Sequence, residues 1–261
     1  MLTLTSNIEL NYPGIDAVPA RIEAAHAAGF REVEMWMTFD RDVDAIKSAL
    51  DATGMRLVSL VAEPRMNTAW PDADVDVFLR GLHRSVDNAR TLGARFVILD
   101  PGLGFPGERR EIQQQRLVDI FGTAAESIRD SGVTLVMEAV NTRVDHPGLL
   151  VDRNIDVAAM VRAIDAPNLR MLFDIYHSAA GGEDVQAEFA AAADLVDYVH
   201  VADSPGRGEP GTGAIDWVRI VDMLEVGGYS GSISLEFIPS TDLTSAIAYI
   251  RSVVEERSAL V

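Results

Sequence analysis

Strand-like and helix-like segments alternate along this chain almost from end to end. Six times, a segment with apolar residues at three- and four-residue spacing is followed by a small or turn-forming residue and a short apolar run. Gly29, Gly54, Gly93 and Gly132 stand just before four of these runs, where glycine often ends a helix. Two further apolar runs bring the predicted strands to eight: 2–10, 30–36, 55–61, 94–100, 133–139, 169–176, 197–203 and 232–238.

This alternation predicts a (β/α)₈ barrel. Eight strand–helix units in about 250 residues are typical of that fold, whereas an open doubly wound sheet of this length usually has fewer strands. Neither a linker nor a low-complexity segment nor a block of charge marks a second domain. We therefore predict one α/β domain over residues 1–261, a single (β/α)₈ TIM barrel with its active site at the C-terminal ends of the strands.

The composition disfavours several classes of partner and of chemistry. The chain has 22 Lys and Arg against 40 Asp and Glu, a formal net charge of -18. Nucleic acids and anionic membrane surfaces both attract positive charge, so neither is a predicted partner. The absence of cysteine excludes disulfides, thiolate catalysis and cysteine-based zinc sites. With no secretory signal and no apolar stretch of about 18 residues, we predict a cytoplasmic location.

Acidic residues and one histidine end the predicted strands. They are Glu34, Glu63, Asp100, Glu138, Asp174, His200 and Glu236. In a barrel these strand ends converge on one mouth. A carboxylate that ends a buried strand costs stability unless a partner or a cation compensates it. Several such groups at one mouth therefore indicate a divalent metal ion.

The last four of these residues end neighbouring strands, so their side chains can meet at one point. We predict as metal ligands Glu138, Asp174, His200 and Glu236. Three oxygens and one imidazole nitrogen suit Mn²⁺ or Mg²⁺, with Co²⁺ or Zn²⁺ as further choices, better than a structural zinc site. Glu34 and Glu63 lie across the barrel from these ligands. For each of them the sequence leaves three roles open: support of a metal ligand, contact with the substrate, or a salt bridge. Asp100, before a Pro-Gly turn, is a candidate to cap the next helix.

A glycine-rich stretch after the fourth strand has the spacing of a nucleotide-binding motif. In "FVILDPGLGFPGERREI" (96–112), three glycines follow the G-x-G-x-x-G pattern between a strand and a helix. Two prolines remove amide donors that a pyrophosphate would need, and the next acid comes roughly thirty residues on rather than about twenty. We predict a loop at the rim of the barrel mouth instead.

Four stretches in the second half of the chain resemble a known family. They are "LVMEAVNTRVDHPGLLV" (135–151), "MLFDIYHSAAGGEDV" (171–185), "HVADSPGRGEPGTGAIDW" (200–217) and "SISLEF" (232–237). They are similar to hydroxypyruvate isomerase-like members of the xylose isomerase-like TIM-barrel superfamily. That superfamily also contains ketose 3-epimerases, 2-oxo-tetronate isomerases, inosose dehydratases and endonuclease IV. The similarity is dense from about residue 133 onward and thin before it.

The resemblance implies roles for individual residues. It implies a divalent metal held by the same four residues, and it makes Glu138 and Glu236 an acid–base pair that face each other across the substrate. His177 and Arg207 would hold substrate oxygens. The loop "SPGRGEPGTG" (204–213) would be an ordered wall that delivers Arg207 to the site. Apart from the resemblance, the charge of Arg143 leaves two roles open: a second contact, after Arg207, for a substrate that carries a carboxylate, or a surface salt bridge.

The implied reaction is isomerisation or epimerisation of a small sugar or hydroxy-keto acid through an enediolate. Three alternatives stay open: a dehydratase-type lyase, a nuclease like endonuclease IV, and a metal-binding barrel without activity. Only five histidines and a charge of -18 disfavour the nuclease. Hydroxypyruvate isomerases often have Gln at the position of His200, whereas the epimerase branch has His. Related barrels often pair, so the resemblance is compatible with a homo-oligomer.

Overall fold

The sheet of this protein closes on itself. In the computed structural model, which describes residues 1–65 and 67–258, nine parallel strands pair in the order β3-β2-β1-β9-β8-β7-β6-β5-β4. They are β1 (Thr3–Asn7), β2 (Glu32–Glu34), β3 (Arg56–Leu57), β4 (Ser59–Val61), β5 (Phe96–Leu99), β6 (Thr134–Glu138), β7 (Leu169–Asp174), β8 (Val196–Val201) and β9 (Ser232–Leu235). Only Val58 separates β3 from β4 along the chain. Its amide donates to Val33 O (2.9 Å) and its carbonyl accepts from Phe96 N (3.0 Å), so Val58 joins the two ends of the sheet.

The predicted barrel is confirmed. Each of the eight predicted strands overlaps an observed strand, and the third is divided into β3 and β4. The helices are α1 (Val18–Ala27), α2 (Val43–Thr53), α3 (Val75–Leu92), α4 (Arg110–Ser127), α5 (Asn154–Ile164), α6 (Ile175–Gly181), α7 (Val185–Ala192), α8 (Trp217–Val226), α9 (Leu243–Ala246) and α10 (Ala248–Ser258). None of the helices within the described ranges combines the length and the apolar character that a bilayer crossing demands.

Short-range sequence signals set several helix boundaries. Gly54 and Gly93 end α2 and α3 at φ values of 67° and 76°, a left-handed conformation that favours glycine. Asp42 and Asp74 begin the same helices, and each carboxylate accepts a hydrogen bond from the backbone amide three residues later. The predicted strand 169–176 is too long, because Asp174 caps α6 in the same way and starts that helix at once.

Alternate side chains of the strands face the barrel interior and the surrounding helices. The interior contains a small apolar cluster, next to buried polar side chains such as Glu34 and Ser59; the cluster consists of Val58, Phe96, Ile98, Val136, Leu172 and Tyr198. Two positions beyond Val136, Leu172 and Tyr198, the same strand faces carry Glu138, Asp174 and His200. The two-residue repeat of the strands therefore places these polar groups together at the mouth, above the apolar cluster.

Candidate metal and active site

Four polar side chains meet at the C-terminal ends of β6, β7, β8 and β9. Nδ1 of His200 lies 3.4 Å from Glu236 Oε2, 3.6 Å from Glu138 Oε1 and 4.0 Å from Asp174 Oδ2. The structure thus brings together the four residues that were predicted as ligands. Each comes from a different strand, and the pairing of these four neighbouring strands assembles the group.

This cluster fits a divalent cation. Glu138 Oε1 and His200 Nδ1 are buried without a hydrogen-bond partner in the described part of the chain, and buried polar atoms are rarely left in that state. Metal–ligand bonds of about 2.0–2.2 Å allow two ligand atoms on one ion to lie at most about 4.4 Å apart. The three distances from Nδ1 fall within that limit. The donor set has the carboxylate character that Mg²⁺ and Mn²⁺ favour.

A second nitrogen lies close to the same carboxylates. Ligand atoms of Glu138, Asp174, His177 and Glu236 all lie within 4.8 Å of one another. His177 was predicted as a substrate contact, and this position makes it an alternative nitrogen ligand. The geometry alone leaves two imidazoles in competition for one place beside three carboxylates.

The electrostatics of the cluster favour added positive charge. Burial raises the pKa of Glu138 well above its ordinary value, and the carboxylates of Glu236 and Asp174 reinforce this shift against the opposing effect of His200. Burial also acts on Glu236, but His200 and Arg207 outweigh it and hold the pKa of Glu236 well below its ordinary value. Both carboxylates therefore titrate under the strong influence of their neighbours, as is common at functional sites.

Arg207 reaches the cluster from the loop that follows β8. Its Nη2 donates to Glu236 Oε2 at 3.0 Å, and its guanidinium lies 5.3 Å from the centre of the Tyr176 ring. The backbone of Arg207 has a φ of 52°, which is uncommon for a residue other than glycine. The loop thus takes up a specific conformation that aims this side chain at the strand ends.

One carboxylate holds this loop in place. Asp203 is fully buried and accepts hydrogen bonds from Ser204 N (2.8 Å), Gly211 N (2.6 Å), Ile215 N (3.2 Å) and Trp217 Nε1 (2.9 Å). The two ends of the Gly/Pro-rich segment and the start of α8 are therefore tied to a single side chain. Sequence reasoning did not single out Asp203, although an acid that ends a strand before a glycine-rich loop is a recognisable signal.

A second buried group orients His177. Asn141 accepts at Oδ1 from the amides of Val144 (3.0 Å) and Asp145 (3.2 Å), which identifies its Nδ2 as the atom that faces His177 Nδ1 at 2.7 Å. The amide of Asn141 therefore donates to Nδ1, and the other nitrogen of the ring is left for the cavity. His146, which sequence reasoning also missed, packs against the His177 ring with 5.3 Å between ring centres.

A cavity of about 190 Å³ opens over this cluster. The polar residues that line it are Glu138, Glu236, His200, His177, His146, Arg207, Arg65 and Asp100. Its apolar side includes Trp36, Met37, Val61, Ile98, Val140 and Leu149. A few charged groups that converge on a mostly apolar pocket are typical of small-molecule sites.

The remaining acidic strand ends have different surroundings. Glu34 contacts the site from below, with its Oε2 at 2.8 Å from His200 Nε2. Glu63 instead accepts from the amides of Thr38 (2.6 Å) and Phe39 (3.0 Å), so it stabilises the chain after β2.

Two further residues differ from their predicted roles. Asp100 does not cap a helix, because α4 begins only at Arg110. Its carboxylate accepts from Gly102 N (2.8 Å) in the turn and forms an ion pair with Arg65. The glycine-rich loop that was predicted at the rim of the barrel mouth follows Asp100, and it therefore begins at the cavity. Arg143 is exposed and faces a separate surface depression beside Gly182, away from the cavity that Arg207 lines.

Comparison with known proteins agrees with this fold. The Escherichia coli K12 protein "Hydroxypyruvate isomerase" is 26% identical over 257 residues, covering 96% of this chain and 98% of the relative. The crystal structure titled "AP endonuclease, family 2 from Brucella melitensis" has a TM-score of 0.90 at 22% identity and covers 97% of this chain and 99% of its own. A structure titled "L-ribulose 3-epimerase" has a TM-score of 0.82 at 23% identity, with 99% and 97% covered.

The sequence model of one family matches most of the chain. This family is described as "Xylose isomerase-like TIM barrel", and the match runs over residues 22–253. It therefore includes all four strands whose ends carry the polar cluster. The chain belongs to the xylose isomerase-like TIM barrel family.

Proposed function

We propose that this protein is a divalent-metal-dependent isomerase or epimerase of a small sugar or hydroxy-keto acid. The observation that carries the proposal is the convergence of three carboxylates on Nδ1 of His200, where two buried polar atoms have no hydrogen-bond partner among the residues that the structure describes. The similarity over nearly its whole length to a hydroxypyruvate isomerase supports the same class of reaction. Glu138, Asp174, His200 and Glu236 would hold the ion.

The two glutamates would transfer the protons of this reaction. Bound at this cluster, a divalent ion would supply Lewis acidity toward a carbonyl and a neighbouring hydroxyl oxygen. Glu138 and Glu236 come from β6 and from the end of β9, on either side of β7 and β8, and both line the cavity. One would take the proton from the carbon next to the carbonyl, and the same or the other would return a proton to the neighbouring carbon or to the opposite face.

Other residues of the cavity would bind and orient the substrate. His177 presents a ring nitrogen that Asn141 leaves free, and Arg207 presents a guanidinium held over the strand ends. The cavity volume of about 190 Å³ lies below the roughly 300–1,000 Å³ of sites for drug-sized ligands. A compound of a few carbon atoms therefore fits this space better than a nucleotide.

Isotope exchange tests this proposal directly. The protein with Mn²⁺ is incubated in D₂O with ketoses, hydroxypyruvate and inososes, and each compound is followed by NMR. We expect deuterium to enter next to the carbonyl of at least one compound, together with an isomeric product, and EDTA to abolish both until Mn²⁺ is restored. Mn²⁺ without protein is the control for metal-catalysed enolisation. Loss of water from an inosose would indicate a lyase instead, and absence of exchange in the whole panel would contradict the proposal.

Arg207→Ala should lower kcat/KM for the substrate found in that assay by roughly 10- to 100-fold. A charge-assisted hydrogen bond to a substrate oxygen in a partly buried site contributes about 1.5–3 kcal/mol. Arg207→Lys should recover only part of the loss, because Lys keeps the charge without the planar fork. Arg143→Ala is the matched control, since Arg143 is exposed outside the cavity. Equal steady-state kinetics of wild type and Arg207→Ala would remove Arg207 from substrate binding.

A further inference from the structure

Glu34 is a buried carboxylate that the proposed reaction does not use. It ends β2, is 0% exposed, and lies inside the barrel beneath the cluster. Three other strands bring four donors to it: Asn7 Nδ2 reaches Oε1 at 2.7 Å, Ser59 Oγ reaches Oε2 at 2.7 Å, and the hydroxyl of Tyr198 and Nε2 of His200 also reach Oε2. A carboxylate so fully surrounded by donors has a fixed position.

The contact with His200 fixes which nitrogen faces the cluster. A carboxylate accepts hydrogen bonds and donates none, so the imidazole nitrogen 2.8 Å from Glu34 Oε2, which is Nε2, has to carry a proton. When the ring is neutral, as a metal ligand must be, the lone pair lies on the opposite nitrogen, Nδ1, which faces the three carboxylates and has no hydrogen-bond partner among the described residues. The Tyr198 ring packs edge-on against the imidazole, with 4.9 Å between ring centres, which opposes rotation of the ring.

We infer that Glu34 is a positioning residue for the metal site: it holds the proton on Nε2 of His200 and thereby presents Nδ1 to the cation. This inference rests on the proposed function, since it presupposes that a divalent ion binds beside His200. Carboxylates that accept from the far nitrogen of a metal-binding histidine orient the ring and raise its basicity. Here the carboxylate comes from the far side of the barrel, so the ligand on β8 depends on a residue of β2.

The same strand provides a matched control. Glu32 lies two positions before Glu34, on the same face of β2, and is also buried. Its carboxylate accepts from Thr5 Oγ1 (3.0 Å), Ser232 Oγ (2.7 Å) and Arg56 Nη2 (2.7 Å). It therefore has a similar set of hydrogen bonds but no contact with His200. A loss that comes only from disturbing a buried carboxylate of β2 would appear in both variants.

The test measures Mn²⁺ affinity by calorimetry, without any substrate. Glu34→Gln should weaken Mn²⁺ binding by ~10- to 100-fold, the range typical of such supporting carboxylates, because an amide cannot satisfy all four donors. Glu32→Gln should change the affinity by less than about twofold, since a residue without contact to the site acts independently of it. Thermal unfolding of each metal-free variant measures the separate cost to the barrel.

Each outcome has a distinct meaning. Equal Mn²⁺ affinity of wild type and Glu34→Gln, or equal losses in Glu34→Gln and Glu32→Gln, would overturn the positioning role. Failure of the wild type to bind any divalent ion would instead refute the proposed function itself. If Glu34→Gln does not fold, ¹⁵N NMR of the Mg²⁺-loaded wild type decides: a proton on Nε2 of His200 supports the inference, and a proton on Nδ1 overturns it.

Discussion

Replacing Glu138 or Glu236 by Gln should slow substrate C–H exchange with D₂O by roughly 10²-fold or more, because Gln keeps the size of the side chain but cannot accept the proton. Both variants should fold, since neither change removes an apolar contact from the core. The measurement is the NMR exchange rate at saturating Mn²⁺ and substrate, with circular dichroism as the check on folding.

The two glutamates are also proposed metal ligands, so loss of a base has to be separated from loss of the ion. Asp174→Asn provides this control, because Asp174 is a proposed ligand outside the acid–base pair. Raising the Mn²⁺ concentration should restore exchange in Asp174→Asn but not in the two Gln variants. Normal exchange in both Gln variants would assign the base to another carboxylate of the cavity, of which Asp100 is one.

His200→Ala should weaken Mn²⁺ binding by at least ~100-fold, beyond the effect of losing a group that only supports a ligand. His177→Gln should bind Mn²⁺ nearly as well as the wild type, because the resemblance assigns His177 to the substrate. Calorimetry gives the affinities, and anomalous diffraction from Mn²⁺-soaked crystals gives the position of the ion. The two histidines compete for one place beside the carboxylates, so this pair of variants is a direct comparison.

The opposite pattern would reassign the site. Strong binding in His200→Ala and loss in His177→Gln would make His177 the nitrogen ligand, in the group that also contains Glu138, Asp174 and Glu236. His200 would then be a structural residue between Glu34 and the carboxylates. The acid–base role proposed for the two glutamates would be unaffected by that change.

The fold and the four polar strand ends could be predicted because both depend on short-range patterns. Helical periodicity, glycines at helix ends and apolar runs are each visible within a few residues, and the two-residue repeat of a strand fixes which side chains share its face. Once a barrel is assumed, the order of the strands places Glu138, Asp174, His200 and Glu236 side by side. The family resemblance named the same four residues independently.

The groups that support the site could not be predicted in the same way. Glu34 and His200 are separated by 166 positions along the chain, and their contact depends on the closed barrel and on the depth of each side chain within it. Asn141 and Asp203 act through backbone amides, whose directions depend on loop conformations that no periodicity encodes. The division of the third strand at Val58 likewise reflects how the ring closes rather than any signal near that residue.

The hydrogen bonds on Asp203 bear on how this pocket could evolve. One carboxylate fixes both ends of the loop after β8, so a substitution that displaced that wall would break several backbone contacts at once. Across the cavity, Met37 and Arg65 enter as exposed side chains that follow β2 and β4. Changes there would alter the shape of the pocket without disturbing the two glutamates proposed to transfer protons. Divergence toward new substrates is therefore expected to accumulate on this adaptable side, while the side fixed by Asp203 stays constant.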